Sequence, residues 1–94
     1  MLQWREEAID GLRWVDDPSH AWLEVDYSRY PSALEYRGLI DTSKGVIYLE
    51  EDCLAPAFLK ANPQIVSRDL PTWSYDREAV RLRRLPLNDV EVAV

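Results

Sequence analysis

Val46-Ile47-Tyr48-Leu49-Glu50-Glu51-Asp52-Cys53-Leu54-Ala55-Pro56-Ala57-Phe58-Leu59-Lys60-Ala61-Asn62 is the stretch whose reading decides the fold. Its first half is β-branched, aromatic and aliphatic, as a well-packed strand prefers. Its second half changes period. Leu54, Ala57, Phe58 and Ala61 recur at helical spacing and form one apolar stripe. Between the halves, Glu50, Glu51 and Asp52 place carboxylates where a helix N-terminus favours negative charge. Pro56 must fall close to the helix start. Asn62-Pro63 ends the helix, with Asn62 as a candidate left-handed cap. A strand running directly into a helix over about 52–62 makes the chain α+β.

Working outward, Leu34–Ile40 and Val46–Glu50 flank Asp41-Thr42-Ser43-Lys44-Gly45, a hairpin turn in which Gly45 can take positive φ. Ahead of it, Ser28–Leu34 reads as a helical turn capped by Ser28, with Pro31 in its first turn. Ala21–Tyr27 alternates: Leu23, Val25 and Tyr27 share one face, while Trp22, Glu24 and Asp26 share the other. That is the period of a half-buried strand. With Leu12–Val15 and the turn chemistry of Asp16-Asp17-Pro18-Ser19 it makes a second hairpin over 12–27. Leu2–Ile9 is a candidate edge strand. Glu78–Leu85 suits a strand better than a helix, and 88–94 is an edge strand or a frayed tail. The expectation is an antiparallel sheet of four to five strands built from hairpins, packed by the main helix and by the short helical turn over about 28–34.

The 94 residues form a single domain, 1–94. The 47% hydrophobic content, with four Trp, five Tyr and one Phe, is enough for one modest core and argues against disorder. Apolar runs fall far short of the ~18–20 residues that span a bilayer. The acidic N-terminal residues Glu6, Glu7 and Asp10 do not suit a signal peptide. One cysteine, Cys53, fits a reducing compartment, so a cytoplasmic location is expected.

Net charge is −6, the wrong sign for direct binding of nucleic acid or of an anionic membrane. The balance is uneven: residues 1–58 carry 12 acids and 5 bases, while residues 59–94 carry 5 acids and 6 bases. The bases of the second part cluster at Arg81, Arg83 and Arg84.

Catalytic signatures are weak. His20 stands alone, and Cys53 follows three carboxylates that disfavour its thiolate, so Cys53 reads as a small buried residue. One His and one Cys do not make a structural zinc site. Glu50-Glu51-Asp52 lacks the ligand spacing of a calcium loop. The three glycines are isolated rather than gathered in a phosphate-binding loop. The expectation is no enzyme, no metal and no cofactor. Trp22, beside Glu24 and Asp26, is an exposed anchor for a partner where that face is solvated, with Tyr30, Tyr36 and Tyr75 as other candidates, and is buried where a helix covers the face.

Ser19-His20 before a hairpin strand, and Tyr48-Leu49-Glu50-Glu51-Asp52-Cys53 running into Ala55–Leu59, resemble a family of small uncharacterised proteins of phages, plasmids and their hosts. The resemblance covers residues 19–60. Ala21-Trp22 stand where that family often carries glycines. The resemblance implies a mobile-element setting, in which small acidic proteins include inhibitors of host defence of the anti-CRISPR type. The expected function is a non-enzymatic inhibitor acting inside the bacterial host cell by mimicking DNA. Asp16, Asp17, Trp22, Glu24, Asp26, Glu50, Glu51 and Asp52 would meet a basic nucleic-acid-binding surface of a host protein, such as a CRISPR effector subunit. The rival expectation is a generic interaction module or homodimer acting through exposed aromatics and an edge strand.

Overall fold

The structure, a computed structural model, describes residues 8–16, 20–74 and 82–89, with the backbone alone at Trp73 and Ser74. Five strands form one sheet: β1 (Leu12–Asp16), β2 (Ala21–Asp26), β3 (Leu39–Asp41), β4 (Val46–Glu50) and β5 (Thr72–Ser74). The spatial order is β3-β4-β2-β1-β5. Each neighbouring pair among the first four is antiparallel, and β5 runs parallel to β1. One helix, α1 (Leu54–Ala61), and two 3-10 turns at Pro31–Glu35 and Ser67–Asp69 complete an α+β fold.

β1 and β2 pair where the sequence places them. In the second hairpin the expected strand Leu34–Ile40 is cut to Leu39–Asp41, because Pro31–Glu35 is a 3-10 turn, and Asp41 pairs with Val46 instead of lying in the turn. Leu12 faces Val25 and Trp14 faces Leu23 across β1 and β2. In the β3–β4 turn the Asp41 carboxylate accepts from the Ser43 N–H at 3.1 Å, the Ser43 hydroxyl at 2.6 Å and the Lys44 N–H at 3.2 Å. Gly45 sits at φ 71°, which only glycine adopts without strain.

The register gives the sheet two interior faces. On the helix side Leu12, Leu23, Val25, Ile47 and Leu49 pack with Ala33 and with Ala55 and Phe58 of α1. Tyr30 and Tyr36 meet the Phe58 ring edge-on, with centroids 6.0 and 6.1 Å away. On the opposite side Val15, Trp22 and Tyr48 pack with Leu82, and Leu39, Val46 and Leu85 flank them. Burying a side chain the size of Phe58 or Leu82 is worth about 1.5–3 kcal/mol.

Several expectations are corrected. Trp22 is 6% exposed and is no exposed anchor, because the segment at Leu82 covers the face of β2 that the sequence left open between solvent and a covering helix. Leu82 is helical and Arg83-Arg84 turn, with the Leu85 N–H donating to the Leu82 carbonyl at 3.0 Å, so this end of the expected 78–85 strand is not extended. The rest of that segment, the tail from Val90, and Trp4, Tyr75 and Arg81 lie outside the described residues. Of the candidate edge strand 2–9, only Ile9 and its flank are described. Ile9 makes a single bridge to Leu12 around Asp10-Gly11. Both turn residues have positive φ, 53° and 80°, as the two-residue Asp-Gly hairpin turn requires. From Trp14 onward that side of β1 is taken by β5.

Pro31 does open the 3-10 turn, but Ser28 does not cap it. The cap position is Tyr30, and the Ser28 hydroxyl donates to Asp26 instead. In α1 the buried stripe is Ala55 and Phe58, with Leu54 and Leu59 beside them, while Ala57 and Ala61 are exposed. Asn62 has φ −129° and is not left-handed. It closes the helix by donating its side-chain N–H to the Phe58 carbonyl at 2.8 Å and its backbone N–H to the Leu59 carbonyl at 3.1 Å. Beyond β3, Pro86–Asn88 cover the outer strand. The Ile40 N–H donates to the Pro86 carbonyl at 2.9 Å and the Asn88 N–H to the Gly38 carbonyl at 2.7 Å.

Candidate functional site: an acidic end of the sheet

Of the eight residues expected to bind a partner, the seven that are described do not share one face. They divide into a buried residue pair, a turn acid, and a cluster at one end of the sheet.

Trp22 and Glu24 are the buried pair. Glu24 is 7% exposed. Arg13, its cross-strand neighbour, donates through Nε to Oε1 at 2.9 Å and through Nη2 to Oε2 at 3.0 Å, and the Tyr48 hydroxyl donates to Oε2 at 2.8 Å. Such a two-pronged guanidinium–carboxylate pair fixes geometry as well as charge. Glu24 is therefore an internal strut and is not available to an external basic surface. Trp22 is likewise no exposed anchor. Tyr30 and Tyr36 are half-buried against Phe58.

Asp26 stands at the far end of β2, four residues or about 13 Å from Trp22 along the strand. Its Oδ1 accepts from the Ser28 hydroxyl at 2.7 Å and the Ser28 N–H at 2.9 Å. The Ser28 hydroxyl is the main reason that its carboxyl is held below the ordinary aspartate value, followed by the Ser28 N–H. The Arg29 N–H and guanidinium add to this, and partial desolvation opposes it. Asp26 closes the turn after β2.

The remaining described acids lie at one end of the sheet. Asp16 ends β1 opposite Ala21. The Ala21 carbonyl accepts the Glu51 N–H at 3.1 Å, and Trp22 pairs with Glu50. Asp16 and Glu51 thus lie two strand spacings apart, about 10 Å between backbones. Glu50 is half-buried, and its Oε1 accepts the Cys53 N–H at 3.1 Å, which fixes the entry to α1. Glu51, Asp52 and Cys53 are exposed, which corrects the buried reading of Cys53. α1 itself carries no acid in its first turn. Asp17 lies outside the described residues. His20 is exposed at this same end, its ring 5.9 Å from that of Trp22.

Leu82 seats the exposed Arg83 and Arg84 on the face of Trp22 and Tyr48, so two bases adjoin the side that the acids of β2 were expected to make negative. Of the acids expected to bind a partner, the described ones that remain exposed are Glu51 and Asp52, at the sheet end. Among the described residues no group of three His, Cys, Asp or Glu side chains is arranged to hold a metal ion. Nor is any described helix long and apolar enough to cross a membrane.

Sequence reasoning missed Arg13 as the partner of Glu24. Opposite charges at facing positions of the 12–27 hairpin were the signal that could have found it. It also missed Asp10 and Asp69, which line a cleft at the other end of β1. The Asp10-Gly11 dipeptide was the visible clue there. Comparison with models of known families, with curated proteins and with solved structures finds no match to this chain.

Proposed function

We propose that the chain is a non-enzymatic binding protein whose acidic sheet end, Asp16, Glu50, Glu51 and Asp52, occupies a basic nucleic-acid-binding surface on another protein. The observation that carries this reading is that Asp16 and Glu51 lie two strand spacings apart at one end of the sheet, with Asp52 exposed beside Glu51, while Glu24 is buried in its ion pair and Asp26 closes the turn at the other end. Carboxylates held on a rigid sheet can stand in for phosphates. Their field speeds encounter with a cationic groove and weakens as salt rises. The setting that suits such a protein is a phage or other mobile element. The chain would act in the cytoplasm of the bacterial host, as an inhibitor of the anti-CRISPR type.

The test is capture from a bacterial lysate at low salt, elution with a salt gradient, and a DNA-displacement assay on the recovered protein. The wild-type chain is expected to retain a DNA-binding protein, to release it as salt rises, and to displace its DNA. Glu51→Lys with Asp52→Lys touches only exposed side chains. That variant is expected to melt at the wild-type temperature and to lose displacement at least tenfold. A folded variant that displaces DNA at full strength overturns the reading.

A further inference from the structure

We propose that the cleft beside the Asp10-Gly11 turn is a docking slot for a partner peptide that carries a lysine or arginine next to aliphatic side chains. The slot lies at the start of β1, whereas the acidic sheet end lies at its finish, and the proposal does not depend on that end.

The cleft is built into the fold. Its floor is Leu12, Tyr30, Ile65 and Leu70, which belong to the helix-side core or pack against it. One wall is the turn from Ile9 to Leu12, closed by the Ile9 N–H donating to the Leu12 carbonyl at 2.9 Å and the Leu12 N–H to the Ile9 carbonyl at 3.0 Å. A Cβ at Gly11 would meet the Asp26 Cβ at 2.8 Å and the Arg29 Cδ at 2.9 Å, so this wall lies hard against the turn after β2. The other wall runs from Gln64 to Leu70. It is tied down by the Trp14 Nε1–H donating to the Ser67 carbonyl at 3.3 Å. The cavity measures about 290 Å³, near the lower limit of roughly 300–1,000 Å³ for ligand pockets. That is room for one or two side chains rather than for a large cofactor.

Two features specify the occupant. Ile9 and Val66 are 50% and 46% exposed, and both stand on the rim. Exposed apolar groups gathered at a concavity mark contact surfaces. Asp10 and Asp69 share that rim, and no lysine or arginine is among the described residues lining the cleft. Two bases are nearby without lining it: Arg29 has Nε 3.8 Å from Asp26 Oδ2, and Arg68, next to Asp69, is exposed outside the lining. Apolar walls under two carboxylates match a side chain with an apolar stem and a cationic head. An acidic peptide meets like charge there, and a purely apolar one leaves the carboxylates without a counter-charge.

The probe is acetyl-Leu-Arg-Leu-amide, titrated into the isotope-labelled full chain, with acetyl-Leu-Glu-Leu-amide as the control. Saturable shifts are expected at the Ile9, Ile65 and Val66 methyls with the arginine peptide alone. Asp10→Asn with Asp69→Asn is expected to weaken binding about tenfold at unchanged melting temperature, because Asn-Gly supports the same turn as Asp-Gly. The Glu51→Lys, Asp52→Lys variant is expected to bind the peptide as wild type does, which separates this slot from the acidic end. Equal binding of the glutamate peptide overturns the proposal. So do shifts confined to other methyls, or no saturation at millimolar peptide. Methyl shifts that follow protein concentration without peptide also overturn it, and would make the occupant a second copy of the chain.

Discussion

The two faces of the sheet solve the same problem with different chemistry. On the helix side the buried cluster is wholly apolar, from Leu12 across to Leu49 and up to Phe58. On the other side Val15, Trp22, Tyr48 and Leu82 share the interior with Glu24 and its guanidinium partner Arg13. β2 supplies both faces: Leu23 and Val25 point one way, Trp22 and Glu24 the other, and all four are buried. Alternation along a strand therefore reports which residues face together. It does not report which face meets water.

The sharpest way to break this comparison is to remove one member of the ion pair. Arg13→Ala is expected to destabilise by about 3–5 kcal/mol, because it leaves the Glu24 carboxylate buried without its cation. Replacing both, as Arg13→Met with Glu24→Leu, is expected to recover most of that loss, since a buried pair often contributes no more than well-packed apolar groups. Urea unfolding of the single and double variants measures both. A single variant as stable as wild type would mean that the second face is not closed. A smaller effect sharpens the same point. Tyr48→Phe keeps the ring in the core and removes only the donor to Glu24, so a loss of about 1–2 kcal/mol is expected in the same assay.

The smallest effect concerns an acid outside both cores. Asp26 has its carboxyl held below the ordinary value in the folded state, chiefly by Ser28. A depressed folded pKa adds stability above the unfolded value, and that stability is lost as pH falls through the folded one. Asp26→Asn is thus expected to be slightly less stable than wild type near pH 6, with the difference shrinking toward pH 2. Denaturant midpoints at the two pH values check the sign, and a gap that widens in acid contradicts it.

Local features of the fold were the legible ones. Both hairpins, the 3-10 turn at Pro31 and the strand-to-helix step at Glu50–Leu54 follow from turn residues and a change of period that short windows contain. What was not legible depends on distant chain. β5 is three residues long, follows a proline, and becomes a strand only because the edge of Trp14–Asp16 accepts it. The burial of Trp22 depends on Leu82, sixty residues away in sequence. Glu24 carried the correct alternation, yet its role turned on Arg13 and Tyr48 facing it from two neighbouring strands. For the site, the cluster at 50–52 was visible as a run of acids, and its approach to Asp16 follows from the order of the strands. Asp26 was drawn into the same group by the period of β2, which carries no information about distance along the strand.

The cover over β3 also bears on how the chain behaves when crowded. An outer strand with open N–H and C=O groups is a template on which partly unfolded copies nucleate fibrils. Here that strand is only three residues long, and Pro86–Asn88 lie along it. Pro86 gives its carbonyl to β3 and, having no N–H, cannot extend the ladder along it. Asn88 clasps the cover in place by donating its side-chain N–H groups to the Leu34 and Tyr36 carbonyls at 2.8 and 3.0 Å. On this side the β3 edge is kept from pairing with another copy by a short cover that Pro86 cuts off and Asn88 holds in place.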